Sequence, residues 1–195
     1  QRDSLAMLGL GGSVGTAPGG LEAQVLVVSS FDDLRARASE ARGRIVLFNA
    51  PFTSYAETVT YRTMGARSAS QAGALAVLVR AIGRTGLRTP HTGSANYGQG
   101  VAAIPAAAIS AEDTDRVVRL SARVPVRLRL MMEARTEADV LSANVVGGIR
   151  GRGLIRDDGD VFVGQGTVDE RIVPGIMTTD EAAEDGGEFS NLEIE

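Results

Sequence analysis

Acidic side chains near the C-terminal end are the residues whose types and spacing best suit metal chemistry. Asp169 and Glu170 close the strand-like stretch VFVGQGTVDE (161–170), and two carboxylates at a strand end are oxygen ligands for a metal ion. Oxygen ligands alone favour Ca²⁺ or Mg²⁺. The run DDGD (157–160) does not continue as an EF-hand loop, because Phe162 stands where a third oxygen ligand is required. A solvated acidic tail is therefore favoured over a weak divalent-cation site or the remnant of a catalytic site.

Histidine is too scarce in this sequence for a dinuclear zinc site. His91 is the only histidine and there is no cysteine, so neither paired imidazoles nor thiolates are available as ligands. His91 lies in a long loop, 83–104, and loops of this length are usually functional or disordered. A plainer interpretation is a loop histidine that hydrogen-bonds the backbone and fixes the turn after Pro90. A Ser/His/Asp triad is disfavoured, since Ser94 does not stand in a Gly-x-Ser-x-Gly elbow.

The composition limits the classes of function. A chain of 195 residues with 44% hydrophobic and 4% aromatic residues builds its core from aliphatic side chains. The net charge of −4 leaves no basic surface for nucleic acid, and all 20 basic residues are arginine. The sequence contains no apolar run long enough to span a membrane and no stretch typical of a signal peptide.

Predicted strands and helices alternate along the part of the chain that contains the candidate loop residues. This alternation predicts an α/β or α+β fold with a central sheet. The glycine-rich stretch 9–20 lacks the lysine of a phosphate loop and is expected to be flexible or turn-rich. Tyr55 and Tyr61 are expected at the edge of the core, and Arg127 and Arg129 on a solvated strand face. The predicted strands are 21–30, 44–49, 75–81, 104–110, 124–136 and 142–151, and the predicted helices are 31–43, 54–74 and 110–123.

Several segments, in this order, resemble the protease-associated (PA) domain of the carboxypeptidase Q-like zinc peptidases of the M28 family. They are DSLAMLGLGGSVGT, VLVVSSFDDLRARASEARGRIVLFN, TVTYRTMGARSASQAGALAVLVRA, TPHTG and IPAAAISAEDTDRVVRL. The resemblance covers roughly residues 3–150. It implies a PA-like domain over 21–140, with a central, barrel-like sheet and flanking helices, after a glycine-rich lead-in at 1–20. Residues 141–195 would begin a catalytic-domain-like segment that matches the family poorly.

The catalytic elements of that family are not matched after residue 150. One alignment of DVFVGQGTVD places Gly166 where the family has the histidine of its His-x-Asp element. A second alignment, on the family's own VGQG stretch, places Asp169 at the Asp that bridges two zinc ions, and neither alignment supplies a histidine. The segments MTTDEA (177–182) and EDGG (184–187) echo other elements only faintly and in the wrong order. The resemblance therefore implies no catalytic and no metal-binding residue in this chain. Zinc is expected in the parent family and not here.

The resemblance implies a non-catalytic PA domain of an M28-type zinc peptidase, which forms a substrate-access lid or an interaction module. Its expected partners are the peptidase catalytic domain and a peptide substrate, in an extracellular or periplasmic location. The alternatives are a piece of the enzyme itself, active only with zinc ligands from elsewhere, and a free-standing peptide-binding module. By this resemblance the loop residues that face the substrate are His91, Thr92 and Tyr97. The chain alone is expected to be inactive.

Overall fold

The computed structural model describes residues 3–83, 85–138, 141, 149–150, 160–161 and 191–194. The strands are β1 (Asp3–Leu5), β2 (Met7–Gly9), β3 (Leu21–Val28), β4 (Ile45–Phe48), β5 (Ala76–Arg80), β6 (Ala106–Ile109), β7 (Arg127–Met131), β8 (Ile149–Arg150), β9 (Asp160–Val161) and β10 (Asn191–Ile194). The helices are α1 (Phe31–Ala36), α2 (Ala38–Ala41), α3 (Tyr55–Gln71) and α4 (Ala111–Ser121).

Eight strands form one mixed sheet in the order β1-β10-β7-β3-β4-β5-β6-β2. The pairs among β3, β4, β5 and β6 are parallel, and the other pairs are antiparallel. β1 and β2 occupy opposite ends of this order, yet Ala6 alone separates them in the chain. The sheet must therefore curl until its two ends meet, which makes a half-barrel. The predicted α+β class with a barrel-like core and flanking helices is confirmed.

Both faces of the sheet are buried, as the continuous apolar pattern of the parallel strands predicts. Ile45 and Leu47 of β4 join a cluster that includes Val117 of α4, whereas Val46 and Phe48 join a second cluster under α1 and α3. All four β4 residues are fully buried, with alternate side chains on opposite faces. Gly65 lets α3 approach closely, because a Cβ there would lie 3.2 Å from the Phe48 ring.

The helix predicted at 31–43 divides into α1 and α2 at Arg37. The Arg37 side chain donates to the Val27 carbonyl oxygen at 3.0 Å, and its backbone leaves the helical conformation with φ −112° and ψ 25°. Serines cap the starts of α1 and α4, since the Ser30 hydroxyl accepts from the Asp33 N–H and the Ser110 hydroxyl accepts from the Asp113 N–H. Arg127 and Arg129 lie on β7, and Arg127 pairs with Glu22 at 2.9 Å.

The N-terminal segment is more ordered than the sequence pattern predicted. Leu5 and Met7 of the short strands β1 and β2 are buried, and Leu10 follows them into the core. Gly12, with φ +77°, and Gly15 belong to the stretch expected to be flexible or turn-rich. A Cβ at Gly15 would lie 2.8 Å from the Met132 carbonyl oxygen, so this stretch is tightly packed. Strands of three residues are too short to show a two-residue period, which is why the pattern missed them.

The acidic C-terminal predictions lie outside the described residues. These include Asp169, Glu170, Gly166 and the segments 177–182 and 184–187. The strand predicted at 142–151 is described only as β8, which pairs with β9. The proposed domain boundaries therefore remain predictions.

Candidate functional site

The second half of the long loop runs along α3 in the same direction as the helix. We call residues 92–102 the strap. The Thr92 carbonyl oxygen accepts from Arg62 Nη1 at 2.8 Å, and the Asn96 N–H donates to the Thr63 carbonyl oxygen at 2.8 Å. Further along, the Ser70 hydroxyl donates to the Ala102 carbonyl oxygen at 2.6 Å. The strap is thus fixed to the helix at its beginning and at its end.

The other side of the strap is bonded to the glycine-rich N-terminal stretch. The Gly11 N–H donates to the Gly93 carbonyl oxygen at 2.9 Å, and the Ala95 N–H donates to the Gly11 carbonyl oxygen at 2.8 Å. The Thr92 hydroxyl donates to the Gly9 carbonyl oxygen at 2.8 Å. The strap is therefore held between this stretch and α3. The glycines that were considered as a phosphate loop instead bond to the strap and fix its position.

Ser13 stands at the centre of a Gly-x-Ser-x-Gly sequence, 11–15, which is also the pattern of a nucleophile elbow. The structure places Ser13 in the interior, 4% exposed, with its hydroxyl accepting from the Ala106 N–H at 2.9 Å. The residues that follow Ser13 are irregular and do not form the helix that an elbow requires. Ser13 therefore supports the fold and does not present a nucleophile.

Two glycines of the strap lie against two arginine side chains of α3. A Cβ at Gly93 would lie 2.5 Å from both Cζ and Nε of Arg62, and a Cβ at Gly98 would lie 3.2 Å from Nη1 of Arg67. Gly93 is within contact of the guanidinium group, so no side chain fits there without moving Arg62. No sequence pattern indicates these two contacts, because the glycine and the arginine of each pair are about thirty residues apart in the chain.

Arg62 is a buried cation at the start of the strap. It is 7% exposed, donates to Thr92 through Nη1 and to the Tyr55 hydroxyl through Nη2 at 2.9 Å, and lies with Cζ 5.7 Å from the Tyr55 ring centroid. Within the described residues it forms no ion pair, and its buried Nε has no hydrogen-bond partner. The two hydrogen bonds and the cation–π contact are what offset the burial of this charge.

His91 lies on the surface next to this cluster. Its Nδ1 is 2.8 Å from the Ile82 carbonyl oxygen, and its ring centroid is 6.0 Å from that of Tyr55. A carbonyl oxygen can only accept, so Nδ1 carries the proton and Nε2 is the acceptor of a neutral ring. The predicted backbone hydrogen bond of His91 is confirmed, while its substrate-facing role stays a prediction.

Thr92 and Tyr97, the other two predicted loop residues, make contacts within the fold. The Thr92 hydroxyl is bonded to Gly9, and the Tyr97 hydroxyl donates to the Ile104 carbonyl oxygen. The Tyr97 ring packs on the second hydrophobic cluster, and this burial raises the pKa of the Tyr97 hydroxyl. The structure brings His91 together with Tyr55 and Arg62, two residues of α3 for which the sequence predicted no functional role.

The carboxylates near the loop are already bonded. Asp113 is 4% exposed and accepts from the Ala6 N–H at 2.7 Å and from Arg88 Nε at 3.0 Å, while Asp115 pairs with Arg80. Across the part of the chain that the structure describes, no group of three or more His, Asp or Glu side chains could hold a metal ion.

The described helices include none that is long and apolar enough to cross a membrane.

Comparison with known proteins relates this chain to peptidases. The chain is 47% identical over 148 residues to carboxypeptidase Q of Homo sapiens and 46% identical to that of Mus musculus, a match that takes in 75% of this chain. A crystal structure of a peptidase M28 precursor from Shewanella amazonensis matches 65% of this chain and 30% of its own, with 34% identity and a TM-score of 0.61. A zinc aminopeptidase from Bacillus subtilis, at 20% identity and a TM-score of 0.44, is too distant to support an argument. No protein-family model matches the chain.

The fold and the sequence thus define a peptidase-related α+β chain whose mixed sheet resembles part of an M28 peptidase precursor. The chain is a homologue of carboxypeptidase Q, and the resemblance recognised in its sequence is confirmed. It spans 31% of the length of the human protein and 32% of that of the mouse protein, so most of a carboxypeptidase Q lies outside the matched part.

Proposed function

We propose that this chain serves as a non-catalytic accessory domain of the PA type in an M28-type zinc peptidase. The observation that carries the proposal is the extent of the match: three quarters of this chain correspond to less than a third of carboxypeptidase Q. In this proposal the remaining two thirds of such a protein supply the zinc ions, the catalytic groups and the cleft. The resemblance to that family also supports an extracellular or periplasmic location.

The position of the long loop supports a role in substrate access. His91 and Tyr55 follow β5 and β4, two neighbouring parallel strands, so both residues lie at the same edge of the sheet. The strap is bonded on both sides, so in this proposal the edge forms a fixed wall of the cleft and not a movable flap.

Zinc content and dipeptide hydrolysis test the proposal directly on the purified 195-residue chain. We expect no stoichiometric zinc by elemental analysis and no cleavage of dipeptides with zinc added. Stoichiometric zinc together with turnover would show that the chain is itself a working part of the enzyme, and the accessory role would be wrong.

A chimera tests the positive side of the proposal. The matched part of this chain replaces the corresponding 148 residues of human carboxypeptidase Q, and a second variant carries a glycine–serine linker of the same length instead. We expect dipeptidase activity in the chimera and a large loss in the linker variant, because an accessory domain completes the cleft. Equal activity in the two variants would refute the accessory role.

A further inference from the structure

Two aromatic side chains are exposed, although the chain contains few aromatic residues. The sequence has five phenylalanines and three tyrosines. Phe31, Phe48 and Tyr61 pack against one another with ring centroids 4.7–5.6 Å apart. Phe52 and Tyr55, three residues apart after β4, are 48% and 53% exposed. Tyr61 is thus at the edge of the core as predicted, but the same expectation for Tyr55 was wrong, because Arg62 holds its ring at the surface.

Tyr55 is held in place although it is exposed. Arg62 donates to its hydroxyl oxygen at 2.9 Å and lies over its ring, while Arg62 itself is fixed by Thr92 and Gly93. An exposed side chain that is already ordered loses little conformational freedom when it binds a partner. Aromatic side chains of this kind are the usual anchors of binding surfaces.

Tyr55 and His91 together present one hydrogen-bond donor and one acceptor. The Tyr55 oxygen accepts from a charged guanidinium group, which leaves its own proton to be donated and polarises the O–H bond. The His91 Nδ1–H is taken by the Ile82 carbonyl oxygen, which leaves Nε2 to accept. In an extended peptide the N–H and the C=O of one residue point to the same side, so a single residue of a peptide main chain offers the donor and the acceptor that complement this pair.

We propose that Tyr55 and His91 form a subsite for the main-chain N–H and C=O groups of a peptide substrate, with Phe52 beside it for an apolar side chain. The proposal rests on the proposed function, in which this edge of the sheet borders the cleft. A carboxylate is the poorer ligand, because an imidazole nitrogen without a proton can offer it only a lone pair.

Nuclear magnetic resonance of the single histidine tests the subsite on the whole chain. His91 gives one imidazole spectrum, recorded at pH 8, where an ordinary imidazole is neutral. N-acetyl-leucinamide, an uncharged compound with peptide groups, is titrated in, and sodium acetate serves as the anionic comparison. We expect a saturable shift of the His91 Nε2 resonance with the amide and none with acetate.

Two tyrosine variants make the test specific. Tyr55→Phe keeps the ring and removes the donor, and we expect it to weaken binding about fivefold, as the loss of one hydrogen bond does. Tyr61→Phe removes a hydroxyl from a ring inside the core edge and is expected to leave the affinity unchanged. Equal affinity in Tyr55→Phe and the unaltered chain would overturn the proposal.

The remaining outcomes also decide the matter. A shift of the His91 resonance with acetate alone would indicate an anion site. The absence of any saturable shift would exclude a peptide subsite. Line broadening that depends on protein concentration, in the absence of ligand, would indicate that a second copy of the chain binds there. The chimera separates this inference from the proposed function. If it is active and Tyr55→Phe leaves its KM unchanged, the subsite is wrong and the accessory role stands.

Discussion

Gly93→Ala is the substitution that tests how the strap is fixed. The added Cβ would lie 2.5 Å from Cζ and Nε of Arg62, and real Cβ atoms do not come this close to other heavy atoms. Arg62 cannot simply turn aside, because it is buried and its two terminal nitrogens are bonded to Thr92 and Tyr55. The substitution must either break those bonds or displace the strap from α3.

The expected loss of stability in Gly93→Ala has two contributions. Overpacking of a tight site lowers the free energy of unfolding by about 2 kcal/mol, and backbone strain at a φ of +157° adds about 1 kcal/mol. Gly86→Ala is the matched control, since Gly86 lies in the same loop at φ +132° with no atom within 4 Å of the new Cβ. The control should show the strain alone, about 1 kcal/mol.

Urea unfolding followed by circular dichroism measures both variants. A double-mutant cycle with Arg62→Ala isolates the collision, because the alanine at position 62 leaves room for the new Cβ. We expect Gly93→Ala to lower the free energy of unfolding by about 2 kcal/mol less in the Arg62→Ala background than in the unaltered chain. Equal losses for Gly93→Ala and Gly86→Ala, or an unchanged loss in the Arg62→Ala background, would refute this account of the strap.

Two further predictions concern carboxylates. Asp113→Ala should lower the free energy of unfolding by about 3 kcal/mol, because it leaves the Ala6 N–H and Arg88 without their buried acceptor. Asp115→Ala, at a 44% exposed carboxylate, should lose no more than about 1 kcal/mol in the same urea assay, and a similar loss in the two variants would contradict the burial argument. The hydrogen bond from the Ser29 backbone N–H lowers the pKa of Asp33, so its stabilising effect is present above about pH 4 and is lost as the pH falls through the folded-state pKa. Melting temperatures from about pH 6 to about pH 2 should therefore fall less steeply in Asp33→Asn than in the unaltered chain, and parallel curves would count against this.

The local elements could be predicted from the sequence because their signals are local. The apolar run Ile45–Phe48 predicts a strand buried on both faces, and Ser30 and Ser110 mark the starts of α1 and α4 within one helical turn. The split of one predicted helix at Arg37 could not be predicted, because Arg37 bonds to Val27 on β3, and no local pattern indicates such a contact between two elements.

The sequence by itself determined the class of fold, the aliphatic core, the shortage of imidazole and the likeness to a peptidase family. These depend on composition, on short periods and on order along the chain. Only the tertiary structure decided that Thr92 and Tyr97 bond within the fold, that Tyr55 is presented at the surface, and that Gly93 lies on Arg62. Each of these contacts joins segments that the curled sheet brings together, and no pattern within a single segment carries that information.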